Sequence, residues 1–462
     1  MENKAVKPFG AKDKFGYMFG DLANDFTFIL SSSFLLKFYT DVMGVSGAVV
    51  GAVMMLARIV DAFTDVGMGR ICDRSKSTKN GKFKPWLLRM CGPVALMSFL
   101  MYQSSLANMS MTFKIAYLVV TYILWGSVFY TSVNIPYGSM ASAISAEPGD
   151  RQSLSTFRTM GGTLAGAFIT AGLPMFVYDK QTSVLIGSRF TLIAGICSVL
   201  AIIFYLLCYA MTTERVVIEI DQSKLKENNV LKMLGNAVKN KALISIIVAS
   251  IVMLLAQLTL QSMSNYIFPN FYRNPTAITY GMGVMGIGMI IAAVTAKPLA
   301  NKFGKAEISI ASSLFAGIVC VVLYFVRPEN VWVFIVFQSF AWLGLGMFQM
   351  VAWALITDVI DYSEIRNGIR EDGSVYALYS FARKLGQAAS AGLSGSLLSL
   401  VGYSQSTQFD KDVVNGIFNI TTLVPAIGFI LLGLILWFWY PLHKKQVDEN
   451  VELLKQIHSE GK

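Results

Sequence analysis

The sequence predicts an all-α membrane protein of twelve transmembrane helices, arranged as two pseudo-symmetric six-helix bundles with both termini in the cytoplasm. Three observations carry that expectation. Of the 462 residues, 54% are apolar and only 14% are charged, against roughly 45–50% and about 25% in soluble domains. Apolar runs long enough to cross roughly 30 Å of hydrocarbon recur along the chain, separated by short polar breaks. The basic residues fall almost wholly in alternate breaks. A mean hydropathy of +0.55 agrees, and a soluble fold of this length could not hide so much apolar surface. Disorder, a collagen-like rod, a coiled coil and a disulfide scaffold are excluded by composition.

The first six spans are expected near 16–40, 46–71, 86–107, 113–143, 155–178 and 187–211. Six more are expected near 242–272, 278–297, 307–327, 331–357, 375–402 and 413–440. The chain then divides into an N-terminal bundle (1–211), a cytoplasmic linker (212–241), a C-terminal bundle (242–440) and a cytoplasmic tail (441–462). With both ends inside, the inner segments hold 27 Lys and Arg and the outer breaks hold 6. Five more, Lys37, Arg58, Arg158, Arg383 and Lys384, lie within spans. That bias follows the positive-inside rule, and it accounts for the net charge of +10 without nucleic acid. Residues 1–14 are polar with no cleavage pattern after the first apolar run, so no signal peptide is expected.

The halves echo each other. Asp150 to Arg158 precedes and opens span 5, and Tyr379-Ser380-Phe381-Ala382-Arg383-Lys384 stands at the equivalent place in span 11. The breaks after spans 2 and 8 both carry a Gly-Lys pair, Gly81-Lys82 and Gly304-Lys305. A six-plus-six repeat is the plan of transporters that rock two halves around a midplane site.

Enzyme chemistry finds little to work with. The five cysteines (Cys72, Cys91, Cys197, Cys208, Cys320) form no CxxC pair and lie in or beside apolar runs, as small buried hydrophobes do. The two histidines, His443 and His458, are both in the tail. No His/Cys metal site, no His-based catalysis and no cofactor is expected.

Ionisable groups inside spans cost about 2.5–3.5 kcal/mol each on insertion scales, so those present need a reason. Span 1 holds Asp21 and Asp25, one turn apart on one face. Span 2 holds Arg58, Asp61 and Asp65 as a single stripe reaching about 10 Å along the helix. Buried ion pairs between helices are the plain structural explanation, and Arg58 with Asp61 fits it. The surplus of acids exceeds that need and suits Asp61 and Asp65 to carrying a proton or ligating a cation.

After span 2 the chain reads Asp65-x3-Gly69-x3-Asp73-Arg74, followed by Asn80-Gly81-Lys82-Phe83-Lys84-Pro85-Trp86. The spacing resembles the signature loop of the major facilitator superfamily, whose acids and bases pair with helix ends to hold a cytoplasmic gate shut. A basic turn obeying the topology rule is the alternative. The resemblance sharpens with Gly20-Asp21-Leu22-Ala23-Asn24-Asp25-Phe26, Phe38-Tyr39-Thr40-Asp41-Val42 and Arg58-Ile59-Val60-Asp61-Ala62-Phe63-Thr64-Asp65. Asn134-Ile135-Pro136-Tyr137-Gly138-Ser139 and Asp358-Val359-Ile360-Asp361-Tyr362-Ser363-Glu364 extend it. Together these motifs, running from residue 20 to about 403, resemble the glycoside–pentoside–hexuronide:cation symporters, the melibiose permease-like branch of the major facilitator superfamily.

The resemblance implies a major facilitator fold and a set of roles. Asp25 and Arg158 stand where the melibiose branch binds sugar, a chemistry in which neighbouring hydroxyls donate to the acid and accept from the guanidinium fork. Asp61 and Asp65 match its cation-site acids, Thr131 a hydroxyl beside them, and Tyr130 an aromatic near the sugar. Lys384 matches a lysine facing both sites. Asp65, Gly69, Asp73 and Arg74 match the gate. Two positions depart from the melibiose branch, which has an acid where this chain has Asn134 and a tryptophan where it has Gly138. Asn134 offers a carbonyl oxygen but no charge, so protons are expected as coupling ion, with sodium at Asp61 and Asp65 the alternative. The Asn-Ile-Pro-Tyr-Gly-Ser form, the residues from Lys7 to Tyr17 and Phe381-Ala382-Arg383-Lys384-Leu385-Gly386-Gln387 resemble the xyloside (isoprimeverose-type) and glucuronide transporters. The soluble regulatory domain that some relatives carry after span 12 is not expected, because the chain ends about 20 residues past Pro441.

Aromatic stacking on a sugar would suit Tyr130, Tyr137, Trp342, Trp353, Tyr376 and Tyr379, with Trp353 and Tyr376 preferred; helix packing or an interface belt competes for each. Gln257 and Asn265 are further polar candidates in span 7. The expected partners are a small-molecule glycoside, a coupling cation and the lipid bilayer, with no nucleic acid, and the protein is expected to be a monomer of the bacterial cell membrane. A membrane sensor or a lipid transporter on the same fold are the rival classes. The first predicts loss of the intramembrane acids and an added soluble domain. The second predicts an apolar lateral groove.

Overall fold

The computed structural model describes residues 8–216, 240–367 and 372–460. The described residues are helical, with two isolated bridges, Thr78–Gly81 and Tyr178–Leu185, and no strand among them. Helices α1 (Ala11–Asp41), α2 (Gly47–Arg74) and α3 (Lys84–Leu100) are followed by α4 (Met111–Ile144), α5 (Pro148–Val177) and α6 (Gly187–Met211). Then come α7 (Lys241–Phe271), α8 (Ala277–Phe303), α9 (Lys305–Val326) and α10 (Val331–Asn367). The order ends with α11 (Asp372–Leu400), α12 (Lys411–Phe438) and α13 (Lys444–Glu460). Nine of these helices are long and apolar enough to cross a membrane. The other long ones fall short for visible reasons. Asp21, Asn24 and Asp25 dilute the hydropathy of α1, Arg383 and Lys384 with a run of Gly and Ser dilute α11, and α3 has only 17 residues.

Several element ends differ from expectation, and two of them have a visible cause. The third span stops at Leu100, where the chain turns through a short 3-10 segment (Ser104–Leu106) held by Thr191, which receives the Ser104 amide. The tenth helix runs ten residues past its apolar stretch to Asn367. Its polar end keeps hydrogen-bonding partners, Asp358 accepting from Lys305 and Ser363 from Asn240.

The chain forms two compact units, residues 1–225 with 398–408, and residues 226–397 with 409–462. In the first, α1 packs on α5 and α6, α3 on α6, and α2 on α4. In the second, α7 packs on α12, α9 on α12 and α8 on α10. The α1–α6, α3–α6 and α2–α4 pairings of the first unit thus recur six helices later. Of the expected linker, residues 217–239 lie outside the described residues, while 212–216 belong to the first unit. There the amides of Arg215 and Val216 donate to the Ala143 carbonyl at 2.7 and 2.9 Å, and the Arg215 guanidinium grips Asp13 at 2.8 Å.

The two Gly-Lys turns are also alike. Gly81 and Gly304 have φ of +105° and +106°, a conformation L side chains rarely adopt. Gly81 lets the turn fold onto Glu214, whose carboxylate accepts from the amides of Lys82, Phe83 and Lys84 at 2.6, 3.0 and 2.7 Å. The first turn of α3 is thus capped by a residue 130 positions away in the chain. In the second unit Glu307, three residues after Gly304, accepts from the Lys444 amide at 2.8 Å and so holds the start of α13.

Residues 398–408 group with the first unit through a buried polar knot. Lys37 and Asp41 pair at 2.8 Å with side chains 1% and 3% exposed. Tyr403 accepts from Lys37 at 2.9 Å and donates to Asp41 at 2.8 Å. Removing one member of a buried pair leaves the other charged and unpaired, at a cost of about 3–5 kcal/mol. Lys37→Met or Asp41→Asn alone should therefore lower thermal stability in detergent markedly, and the double variant should recover most of the loss. Equal midpoints for single and double variants would show that the two charges are not coupled.

Candidate functional site

The first unit gathers most of the sequence-predicted site residues into two neighbouring clusters. The first lies between α1 and α5. Arg158 Nε donates to Asp21 Oδ1 at 2.9 Å, so the arginine's ion partner is Asp21, while the family resemblance grouped it with Asp25 as a sugar-binding residue. Asp25 stands one turn further along α1, and both acids face Gly162 of α5. A Cβ built on Gly162 would meet Asp25 Oδ2 at 2.7 Å and Asp21 Oδ2 at 3.1 Å. Gly161 allows the same approach, since its Cβ would sit 2.5 Å from the Met18 carbonyl. Two consecutive glycines therefore bring the acids of α1 against α5.

The guanidinium is oriented from below by tyrosines. Arg158 lies 5.4 Å over the Tyr137 ring, and Tyr137 stacks on Tyr17 at 4.6 Å. The Tyr137 hydroxyl donates to the Tyr17 carbonyl at 2.7 Å. Tyr137 is fully buried, so it is a support for Arg158 rather than a surface for a ring to stack on. Arg158 itself keeps 42% of its side chain exposed, which leaves it open to a ligand. Asn24, between the two acids, points the other way and accepts from Tyr205 at 2.7 Å.

The second cluster lies between α2 and α4. Asp61 accepts from Ser127 Oγ at 2.5 Å and lies 3.5 Å from Arg58, the pairing expected from the sequence. Asp65 accepts from Thr131 Oγ1 at 2.8 Å. The acids are four apart on α2 and the hydroxyls four apart on α4, so each carboxylate meets one hydroxyl along matched faces. Asn134 stands three residues beyond Thr131, half-buried. The sequence reading did not single out Ser127. Its signal was there to be found: Ser127 and Thr131 repeat the spacing of Asp61 and Asp65.

Aromatic rings join the clusters. Phe28, three residues after Asp25, stacks on Tyr130 at 5.6 Å, and the Arg58 guanidinium lies 4.6 Å over the Phe28 ring. Tyr130 also packs on Trp125 at 5.4 Å. Tyr130 therefore sits between the acids of α1 and the ion pair of α2.

Gly69, Asp73 and Arg74 continue α2 beyond Asp65, the last two exposed near its end. The Asp73 carbonyl accepts from Lys82 at 3.0 Å. Of the four residues expected at the gate, Asp65 alone is drawn into the second cluster.

The remaining candidates are in the second unit. Trp353 and Tyr376 stack at 5.7 Å and are 45% and 37% exposed, and Tyr379 meets Trp353 edge-on at 5.0 Å. Arg383 lies 5.9 Å from both the Trp353 and Tyr379 rings, one residue before Lys384. Trp342 is 3% exposed and packs in the unit's apolar core. Gln257 accepts from Gln349 at 2.7 Å, and Asn265 is buried.

Comparison with known proteins places this architecture. Residues 16–444 match the family described as MFS/sugar transport protein. The uncharacterized symporter YjmB of Bacillus subtilis is 33% identical over 99% of both chains. The glucuronide carrier protein homolog of Escherichia coli is 30% identical, covering 94% of this chain and 93% of that one. Among solved structures, a bacterial homologue of the human lysosomal transporter Spinster superposes with a TM-score of 0.68 at 8% identity, covering 96% and 99%. That likeness shows the fold. The protein is a multi-span transporter of the plasma membrane with bacterial relatives, not an enzyme. A family match over nearly the whole chain, with a full-length relative at one-third identity, makes it a member of the MFS/sugar transport protein family, in keeping with its glycoside–pentoside–hexuronide symporter motifs.

Proposed function

We propose that the protein is a cation-coupled secondary active symporter that imports a glycoside of the pentoside, xyloside or hexuronide type by alternating access. In this reading twelve helices span the membrane, both termini are cytoplasmic and the working unit is a monomer. The observation that carries it is the pair of joined clusters in one unit. Asp21, Asp25 and Arg158 present an acid and a guanidinium fork of the kind that suits sugar hydroxyls. The Asp61 and Asp65 pairs lie one aromatic contact away, through Phe28 and Tyr130. Trp353 and Tyr376 of the second unit offer an accessible ring face, and Lys384 keeps the substrate and coupling role that the family resemblance implies. The gate role belongs to Asp65, Gly69, Asp73 and Arg74.

Protons are the favoured coupling ion. A sodium site in low dielectric needs several oxygens and enough negative charge to replace the hydration shell. Arg58 offsets Asp61, and Asn134 adds no charge. A proton needs one buried carboxylate and a positive group to take over its interaction on release. The sodium reading has one observation in its favour, the two hydroxyls of Ser127 and Thr131 that lie beside the two acids.

Three outcomes test this. In proteoliposomes, uptake of sugars from a panel of xylosides, glucuronides and galactosides should collapse when the pH gradient is dissipated and ignore sodium at fixed membrane potential. Sodium-dependent uptake with no response to the pH gradient would transfer the role to the sodium reading. Asp25→Asn and Arg158→Lys should each weaken sugar binding by roughly tenfold or more, because a hydrogen bond to a charged group is lost or misaligned. Calorimetry on the folded variants reads this, and wild-type affinity in both would remove the pocket assignment. Finally, Arg74→Ala should slow transport while leaving equilibrium sugar affinity within about twofold, since a gate acts on the balance of states. A variant with normal turnover would remove Arg74 from the gate.

A further inference from the structure

A π-helical turn, Leu124–Tyr130, interrupts α4 at the level of the second cluster. Such turns widen the helix by one residue and recur at functional sites. Here the widening is visible in the side chains: the Thr131 hydroxyl reaches the Gly126 carbonyl five residues back, at 3.2 Å, while also donating to Asp65. The same turn delivers Gly126 and Ser127 to Asp61. A Cβ built on Gly126 would lie 3.3 Å from Asp61 Oδ1, so the carboxylate rests against a bare backbone. Ser127, 4% exposed, donates to that same oxygen at 2.5 Å, within the range of an O–H bond to a carboxylate.

The distances rank the partners of Asp61. Arg58 is 3.5 Å away, at the limit of hydrogen bonding, so it supplies charge without fixing direction. Ser127 supplies direction.

Resting on the reading of Asp61 and Asp65 as the coupling-cation site, we propose that Ser127, presented by the π turn, is a positioning residue of that site that holds the Asp61 carboxylate in its cation-binding orientation. Ser127 acts on Asp61 as Thr131 acts on Asp65, which makes the site two carboxylate–hydroxyl pairs in register. Without the hydroxyl, Asp61 keeps the Arg58 charge and loses a short, directional contact. The defect then falls on the cation and spares the sugar, whose acids are on α1.

The full-length protein in proteoliposomes tests this, with an imposed proton gradient and, separately, a sodium gradient as probes. Ser127→Ala should raise the cation concentration giving half-maximal sugar uptake by roughly tenfold, with sugar affinity by calorimetry at saturating cation within about twofold. Ser127→Thr keeps the hydroxyl and should restore the cation response. A wild-type cation response in Ser127→Ala overturns the proposal, and so does an equal loss of cation and sugar affinity that Ser127→Thr fails to rescue. If Ser127→Ala is not recovered folded, Gly126→Ala combined with Ser127→Cys serves instead. A Cβ at Gly126 presses on the Asp61 carboxylate and a thiol is a weak donor, so this double variant should give the cation-specific defect, and a wild-type response in it overturns the proposal. Asp61→Asn separates the two levels. If it abolishes gradient-driven accumulation while sugar still binds, a silent Ser127→Ala removes only the role of Ser127. If Asp61→Asn accumulates sugar normally, the cation-site reading itself fails.

Discussion

Charge inside hydrocarbon must be answered by charge or by hydrogen bonds on a neighbouring helix, and much of the first unit's polar interior follows from that requirement. Arg158 of α5 is answered by Asp21 of α1, and Arg58 by Asp61 on the next turn of α2. Lys37 and Asp41 answer each other and take in Tyr403. Each pairing fixes a backbone feature. Gly161 and Gly162 exist where α5 must come close enough for its arginine to meet α1, and the π turn of α4 exists where Ser127 must meet Asp61. The glycines let a neighbouring backbone or carboxylate come against bare helix, and the irregular turn sets the hydroxyls of Ser127 and Thr131 against the acids of α2.

The same requirement joins the two clusters. Phe28 lies between the acids of α1 and the guanidinium of α2, and Tyr130 lies against both Phe28 and Trp125. A change of charge at Asp61 alters what Arg58 must balance, and Arg58 is packed on the ring that stacks with Tyr130. In the proposed reading, coupling between cation and sugar needs no distant relay. By linkage, whatever the cation contributes to sugar affinity the sugar returns to cation affinity, and a contact path of two rings is short enough to carry it.

The sequence made some of this legible and concealed the rest for definable reasons. Periodic apolar runs and the Asp-x3-Asp stripe of α2 are local signals, so the helices and the Arg58–Asp61 pair could be read directly. Gly81 was visible as part of a motif, but its reason was not, since Glu214 lies more than 130 positions away. Tyr403, which completes the Lys37–Asp41 pair, is 366 positions from Lys37. Asp21 was seen on the face of Asp25, yet which of two acids an arginine chooses depends on the reach between helices. Ser127 carried a signal, since with Thr131 it repeats the spacing of Asp61 and Asp65, but no local feature of the sequence says which face of α4 meets α2. Trp342 and Tyr137 show the converse case: both have the right chemistry for a sugar, and burial removes them from the accessible surface.

Arg158 shows what a ligand must bring. Its Nε is engaged by Asp21 at 2.9 Å, and the tyrosine pair beneath holds the guanidinium plane. The exposed part of the guanidinium then has a fixed direction, and fixing a donor before binding reduces the entropy lost when a ligand arrives. Asp25, a turn away, is an acceptor with no proton to give while it is ionised. A ligand that spans both must accept on one side and donate on the other over a short distance. Neighbouring hydroxyls on a ring do both, while a plain carboxylate or a plain amine does only one. The acid next to the fork also disfavours a ligand that places its own negative charge there. In the proposed reading Asp21 and Asp25 therefore divide the work between them: the first holds the arginine in place, and the second selects for a hydroxyl donor.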